Sequence, residues 1–400
     1  MNHKRLGPQT VALASPPAVL AFASIGGKME SQGPLASYFD ELEPDSFFGE
    51  KTWEKAESAM QKRVLGRALE KAGLSPADLD YIFAGDLLNQ CIGSSFAARE
   101  QHIPFFGLYG ACSTMGEGLI LASMALDGDF GRRAGVMASS HFCTAERQYR
   151  TPLEYGSQRT PTAQWTVTGA GAVILDQEGP GPYITHVTPG QIVDNGVTDT
   201  NNMGAAMTPA AYSTISAHLR DTGRSPDFYD LIVTGDLGEL GRTLLLELFQ
   251  RDGIDLSDRH TDCGLLIFDR VRQDVHAGGF PAALGEDRKF SIHPLGVHAE
   301  DDALITVALG GGFDEGGVAD GTGVDADLVG AALEHPVEVV HGVDAAAHGQ
   351  GDEDGRGHLR ENVCEQSPAL GGSGDVVEHQ LIGAVVGVVP SQLHGRVDIR

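Results

Sequence analysis

Two stretches of this 400-residue chain repeat each other at an offset of 150 residues. The shared residues are Ser75, Pro76, Asp80, Ile82, Gly85, Asp86 and Leu87 in the first stretch and Ser225, Pro226, Asp230, Ile232, Gly235, Asp236 and Leu237 in the second. So many identities in one short window favour a duplicated helix–strand–turn unit over a chance match of a common helix-to-strand pattern. The repeat therefore predicts a fold built from two related halves.

Strand and helix patterns alternate from the start of the chain to Gly279, which predicts an α/β protein with a largely parallel sheet. Thr52 is placed to cap a helix from residue 53 to residue 72, and Gly73 is placed to end it. Short buried strands are predicted at residues 81–84, 135–138, 172–175, 231–234 and 265–268.

The composition and periodicity of the sequence change after Gly279. Residues 281–400 hold 21 of the 55 acidic residues, 6 of the 28 basic residues and eight of the 15 histidines. They show no sustained helical or strand period, and they offer few large apolar residues to offset the entropy of ordering. We therefore divide the chain into a first half (1–180), the start of a second half (181–279) and an aberrant acidic tail (280–400). A reading-frame shift is the simplest account of the tail, and a genuine acidic extension is the alternative.

Charge and motifs exclude several classes of function. The net charge of −27 and the lack of a basic run disfavour nucleic acid as a partner. The five cysteines form no CxxC pair, which predicts a reducing compartment and no structural zinc. Pro16 and Pro17 interrupt the apolar N-terminal run, so we interpret that run as buried strands and not as a signal peptide. Dinucleotide, Walker, HExxH and GxSxG motifs are missing, and no cofactor or metal is predicted.

Cys112 is the first candidate for chemistry. It follows Gly110 and small neighbours and precedes a helical pattern that continues to residue 126. A helix N-terminus favours a thiolate and offers free backbone N–H groups to an anion, as an acyl-accepting cysteine requires. A buried cysteine that packs as a small apolar residue is an equally good interpretation.

Four further residues are candidate ligand contacts. His141 follows a predicted strand, where α/β folds place ligand contacts, although a structural histidine bonded to the backbone is the commoner outcome. Arg147 and Arg150 come next and offer two guanidinium groups for a dicarboxylate; the alternative is a solvated face with a Glu146–Arg150 pair. Asn89 lies in the loop after the first repeated strand, where Asp86 is predicted to cap the next segment, as Asp236 would in the second half.

Several segments together resemble the thiolase superfamily and, within it, the stage V sporulation protein AD family. They are AGDLLNQ (84–90), GACST (110–114), TAERQYR (144–150), EYGSQ (154–158), TVTGAGAVI (166–174), FYDLIVTGDL (228–237) and HTDCGLLIF (260–268). The resemblance covers residues 1–279 and ends where the composition and periodicity of the sequence change. It implies a thiolase-like fold of two pseudo-duplicated α/β/α halves, of which the second is incomplete here.

The resemblance also implies a function. Members of this family are similar in fold to thiolases but bind dipicolinic acid, and they belong to a spore uptake complex that is peripheral to the inner spore membrane. We therefore expect a homodimeric binding protein of the cytoplasm or forespore, with other proteins of that complex as partners. The alternative is an acyltransferase or ketoacyl synthase that uses Cys112 as nucleophile, which in related enzymes also requires a histidine from the C-terminal half. A non-functional product with an incomplete sheet is a third possibility.

Overall fold

The computed structural model describes residues 4–149, 160–199, 201–280, 303–307 and 384–389. Its helices are α1 (Trp53–Ala72), α2 (Ile92–Arg99), α3 (Thr114–Asp127), α4 (Phe142–Tyr149), α5 (Met203–Thr222), α6 (Gly238–Arg251) and α7 (Cys263–Leu266). Its strands are β1 (Val11–Ala12), β2 (Ala18–Gly26), β3 (Glu41–Leu42), β4 (Tyr81–Gly85), β5 (Phe105–Leu108), β6 (Arg133–Ser140), β7 (Trp165–Thr166), β8 (Gly169–Asp176), β9 (Tyr183–Pro189), β10 (Leu231–Thr234), β11 (His260–Asp262), β12 (Gly279–Phe280), β13 (Ala303–Val307) and β14 (Ala384–Val389).

The predicted duplication is visible in the structure. Helices α1 and α5 each have 20 residues and begin and end 150 positions apart. Each ends at a glycine in the left-handed conformation, Gly73 with φ 68° and Gly223 with φ 67°, where a Cβ would be strained. The side chain of Thr52 accepts a hydrogen bond from Lys55 N, so the predicted N-cap of α1 is confirmed.

One mixed sheet joins most of the strands. Its order is β11-β10-β13-β14-β9-β2-β8-β6-β4-β5, with β1 on β9 and β3 on β2. Strands connected through helices, such as β4, β5 and β6, pair in parallel. Strand β2 runs antiparallel to both β8 and β9, which residues 177–182 connect without a helix. The prediction of a largely parallel sheet is therefore wrong, because that rule applies only to strands joined by helical crossovers.

Helices cover both faces of the sheet. On β4, Ile82 packs with the apolar side of α1, whereas the next residue, Phe83, packs with α3 on the opposite face. In the second half, Ile232 of β10 packs with α5 and α6, while Leu231 and Val233 face a separate apolar cluster. This alternation along each strand gives the α/β/α layers.

The structure differs from the prediction at residues 265–268, and it describes only a small part of the predicted tail. Residues 265–268, predicted as a strand, lie in and just after the short helix α7, because Asp262 caps that helix by accepting a hydrogen bond from Gly264 N. In the tail, β13 and β14 pair with the sheet; the rest of residues 281–400 lies outside the described residues, so the prediction of a poorly packed tail stays a prediction.

No helix in the described part of the chain has the length and apolar character to cross a membrane.

Candidate ligand site

The turn that carries Cys112 connects β5 to α3. It is a short 3-10 segment, Ala111–Ser113, directly before the first residue of α3, so the predicted helix after Cys112 is confirmed. Gly110 is required there, because a Cβ would lie 2.1 Å from Ser113 Oγ. Ala111 has a φ of 47°, a region that L-residues rarely adopt. The tight turn therefore fixes the position of the Cys112 thiol at the N-terminus of α3.

The Cys112 thiol is buried, with 3% of the residue exposed. It belongs to an apolar cluster that includes Leu87, Ala145 and Leu237. Burial, together with the neighbouring carboxyl group of Asp236, raises the pKa of the thiol well above its usual range. Cys112 is therefore a neutral thiol near pH 7, and a neutral thiol is a poor nucleophile.

Asp236, at the end of the second repeated strand, is the polar group that faces Cys112. Only 1% of the residue is exposed, and within the described part of the chain no N–H or O–H group donates to either carboxyl oxygen, which leaves the weak donor of the Cys112 thiol. Burial and the nearby charge of Asp262 raise the pKa of Asp236 well above its usual range. The raised pKa therefore favours the neutral carboxylic acid form of Asp236.

Asp262 holds the loop that carries Asp236. Its carboxylate accepts hydrogen bonds from Leu237 N at 3.0 Å and Gly238 N at 2.8 Å, the two residues that follow Asp236. It also accepts from Thr234 Oγ1 at 2.5 Å and from Gly264 N at 2.9 Å. Burial raises the pKa of Asp262 to about 6, and the donated hydrogen bonds oppose that rise. Asp262 is thus largely ionised at neutral pH and fixes the geometry of the loop.

The two repeated aspartates have different roles. Asp86 accepts hydrogen bonds from Leu88 N and from both the backbone N and the Oγ of Ser94, so its predicted capping role is confirmed. The parallel prediction for Asp236 is wrong. In the second half Asp262 satisfies the backbone N–H groups, and Asp236 is directed at Cys112.

Asn89 lies close to the Cys112 turn. Its Oδ1 accepts hydrogen bonds from the hydroxyl of Tyr109 at 2.7 Å and from Gln148 Nε2 at 3.2 Å. Gln148, on α4, also donates to the carbonyl of Leu87 at 3.1 Å. The network joins the loop after β4, the residue after β5 and helix α4 into one rim.

His141 is a buried structural histidine in this arrangement. Its Nε2–H donates to the carbonyl of Ser46 at 2.7 Å, and its Nδ1 accepts from the backbone N–H of Cys143 at 3.2 Å. Burial lowers the pKa of His141 to about 4, so the ring is neutral. Both ring nitrogens are used by the backbone, which agrees with the commoner outcome weighed from the sequence.

The predicted arginine pair is only partly described. Arg147 forms an ion pair with Glu54 of α1 and lies over the ring of Trp53. Arg147 lies two positions after Ala145 on α4, and Ala145 packs in the same apolar cluster as Cys112. Residues two positions apart point to opposite sides of a helix, so the Arg147 side chain points away from that cluster. Arg150 lies outside the described residues. Glu146 is buried, and its Oε1 accepts a hydrogen bond from Thr166.

A buried polar cluster beneath the rim was missed from the sequence. Glu57 Oε1 accepts from Ser139 Oγ at 2.9 Å, and Glu57 Oε2 lies 3.0 Å from Thr144 Oγ1. The Thr144 hydroxyl also lies 2.9 Å from the carbonyl of His141, yet it has one hydrogen for two acceptors. A proton on Glu57 Oε2 resolves this conflict, because Glu57 then donates to Thr144 and Thr144 donates to His141.

The sequence did contain a signal for this cluster. Glu57 and Gln61 lie one turn apart on the side of α1 that also carries the buried residues Met60 and Val64. Polar residues on the buried side of a helix require buried partners. Glu57 and Gln61 therefore pointed to a polar cluster that the helix pattern alone did not locate.

Metal binding has no support in the described part of the chain, where no group of three or more histidine, cysteine, aspartate or glutamate side chains is arranged to hold an ion.

Comparison with known proteins identifies relatives over the part of the chain that contains the repeat. The family model described as "Stage V sporulation protein AD" matches residues 7–285. Stage V sporulation protein AD of Bacillus subtilis is 43% identical over 276 residues, which are 69% of this chain and 81% of that protein. The proposed boundary at residue 279 stays a prediction.

Solved structures show the fold. The crystal structure of 3-oxoacyl-(acyl carrier protein) synthase III from Xanthomonas oryzae pv. oryzae matches with a TM-score of 0.50 and 16% identity, over 73% of this chain and 95% of that chain. The corresponding synthase from Aquifex aeolicus matches with a TM-score of 0.47 and 15% identity, over 74% and 96%. The Xanthomonas match supports the thiolase-like α/β fold, and at this identity it supports the fold alone.

Proposed function

The chain belongs to the stage V sporulation protein AD family and is a sporulation protein with a thiolase-like fold, and from that premise we propose that it binds dipicolinic acid beside Cys112 without acyl-transfer chemistry. The ligand is a small dianion. The resemblance of the sequence to this family motivates the choice of ligand.

One observation supports binding over catalysis most strongly: among the residues that the structure describes, the group from the second half that faces Cys112 is Asp236, a buried acid. Acyl transfer to cysteine needs a base that removes the thiol proton. The neighbouring carboxyl group acts in the opposite direction, because it raises the pKa of the thiol. His141, the histidine predicted as a ligand contact, has both ring nitrogens bonded to the backbone.

A dianion requires positive potential at its binding site. The net charge of −27 opposes the approach of such a ligand at long range, so local donors are needed. The positive end of the α3 dipole supplies one source. Arg147 and Arg150 remain the proposed second source, and Arg147 would have to leave its ion pair with Glu54 to contribute.

We also propose a homodimer, with further proteins of a spore uptake complex at the inner spore membrane as partners. Strand β5 is the last strand at one side of the sheet, where a strand edge is open to pairing. Apolar side chains are exposed around it, namely Ile92, Phe96, Phe106 and Tyr109. An apolar surface beside an open strand edge favours association with a second copy.

Calorimetry with dipicolinic acid on the full chain tests the proposal. We expect saturable one-site binding, and we expect that incubation with acyl-CoA gives no mass adduct on Cys112. Absence of binding would refute the proposal, and a stoichiometric acyl adduct on Cys112 would favour the acyltransferase alternative. Unchanged binding by the Arg147→Ala/Arg150→Ala double variant would show that the arginines are not part of the site.

A further inference from the structure

Asp236 is the buried polar group whose environment is hardest to explain by folding alone. A buried carboxyl group without a strong hydrogen-bond donor loses its hydration with little compensation. Its repeat partner Asp86 accepts three hydrogen bonds, whereas within the described residues the carboxyl group of Asp236 has no N–H or O–H donor and faces only the weak donor of the Cys112 thiol. A group of this kind in a native protein calls for a functional or ligand-based explanation.

The surroundings of Asp236 have the features of a small anion site. The carboxyl group faces Cys112, which directly precedes α3 and so lies at the positive end of the helix dipole. The same apolar cluster is bordered by Ala111 and Met203, which are only partly buried, so the cluster approaches the surface on that side. A ligand that enters there meets an acid, a thiol and a helix N-terminus together.

The position of Asp236 is fixed before any ligand arrives. Asp262 accepts hydrogen bonds from the backbone N–H groups of Leu237 and Gly238, so the loop that follows Asp236 has little freedom to move. Gly238 has a φ of 60°, and a Cβ there would lie 2.6 Å from the carbonyl of Ala277. The carboxyl group is therefore held in place, which reduces the entropy lost on binding.

We propose that Asp236 is the specificity-determining residue of the dipicolinic acid site, where it binds in its protonated form and donates a hydrogen bond to one carboxylate of the ligand. The inference rests on the proposed function and assigns a role to one residue of it. A hydrogen bond from a carboxylic acid to a carboxylate is short and about twice as strong as a neutral one. The positive end of the α3 dipole then favours a second, negatively charged oxygen of the ligand.

This arrangement makes binding depend on pH in a defined direction. Asp262 and the Cys112 thiol are the titratable groups that face Asp236 from the described elements packed against it. Burial and the charge of Asp262 raise the pKa of Asp236, so the protonated acid persists to a higher pH than that of an exposed aspartate. As pH rises through that raised pKa, Asp236 ionises and repels the ligand. The carboxylates of dipicolinic acid stay ionised over that range, so the ligand does not add its own pH dependence.

Calorimetry on the full chain with Asp236→Asn and Asp236→Ala tests the inference. The asparagine amide donates a hydrogen bond at every pH, so Asp236→Asn should bind dipicolinic acid within about threefold of the unmodified chain near pH 6 and should not lose affinity up to about pH 9. Asp236→Ala should bind at least about tenfold more weakly, since a hydrogen bond to a charged group is lost. The dimethyl ester of dipicolinic acid, which has no carboxylate, should not discriminate between the three proteins.

The possible results separate this inference from the proposed function. If the unmodified chain does not bind the ligand at any pH, the proposed function fails and the role of Asp236 fails with it. If the unmodified chain binds but Asp236→Ala binds equally well, or if affinity is constant with pH, only the role of Asp236 is overturned. Circular dichroism of each variant shows whether it is folded, and Asp236→Asn, which is nearly isosteric, supplies the decisive pH profile if Asp236→Ala does not fold.

Discussion

Glu57→Gln is expected to remove a large pH dependence from the stability of the fold. Glu57 is fully buried on α1. Burial, with a smaller contribution from the charge of Asp86, raises its pKa from 4.5 to about 8. The hydrogen bonds of Thr144 independently require a proton on Glu57, as described above. The folded state therefore keeps a proton that the unfolded chain releases.

The sign and size of the effect follow from this difference. Between pH 4.5 and about 8 the native state binds more protons than the unfolded state, so stability falls as pH rises through that window. Each pKa unit corresponds to about 1.4 kcal/mol, which gives a loss on the order of 3 kcal/mol at pH 7 and on the order of 5 kcal/mol above pH 8. Glutamine does not ionise, and its amide keeps the donor to Thr144 and the acceptor for Ser139.

Urea unfolding at about pH 5 and about pH 8, followed by circular dichroism, measures this difference. Glu57→Gln should gain on the order of 4 kcal/mol relative to the unmodified chain when the pH is raised, because other titrating groups cancel in the comparison. Glu70→Gln, on the same helix with 70% of its side chain exposed, is the matched control and should gain nothing. Equal behaviour of the two variants would refute a protonated Glu57.

Three further outcomes are expected. Gly204→Ala should lower the free energy of unfolding by about 1–3 kcal/mol, because the new Cβ would lie 2.5 Å from the carbonyl of Leu237, whereas Gly66→Ala, which has open space around it, should not destabilise the protein in the same urea assay. Phe96→Glu should shift the protein from dimer to monomer in light scattering, since it places a charge on a side chain that is 48% exposed beside β5; an unchanged mass would argue against that surface. Iodoacetamide should alkylate Cys112 at least about tenfold more slowly in the native chain than in urea, as judged by peptide mass spectrometry, and rapid native labelling would contradict a buried thiol with a raised pKa.

The parts of the fold that sequence reasoning predicted depend on local signals. Thr52 and Gly73 set the ends of α1, and the strand at 231–234 is observed with the same bounds. The strand predicted at residues 265–268 was wrong because a short apolar run fits a buried strand or a buried helical turn equally well. What decided between them was the Asp262 side chain, which caps α7.

The site was harder to predict because the different roles of Asp86 and Asp236 depend on a residue that is distant in sequence. Asp86 and Asp236 occupy the same place in nearly the same sequence, so sequence reasoning gave them one role. The roles separate only because Asp262, which lies well beyond the repeated segment, bonds to the N–H groups of Leu237 and Gly238. A tertiary contact of that kind has no signature within the repeated segment.

That separation has an evolutionary consequence. In a duplicated protein, a residue that performs a structural task in both copies is constrained in both. Because Asp262 satisfies the backbone of the second copy, Asp236 does not carry the structural task that Asp86 performs. A change at position 236 therefore leaves the hydrogen bonds of its loop in place, whereas a change at position 86 removes three hydrogen bonds.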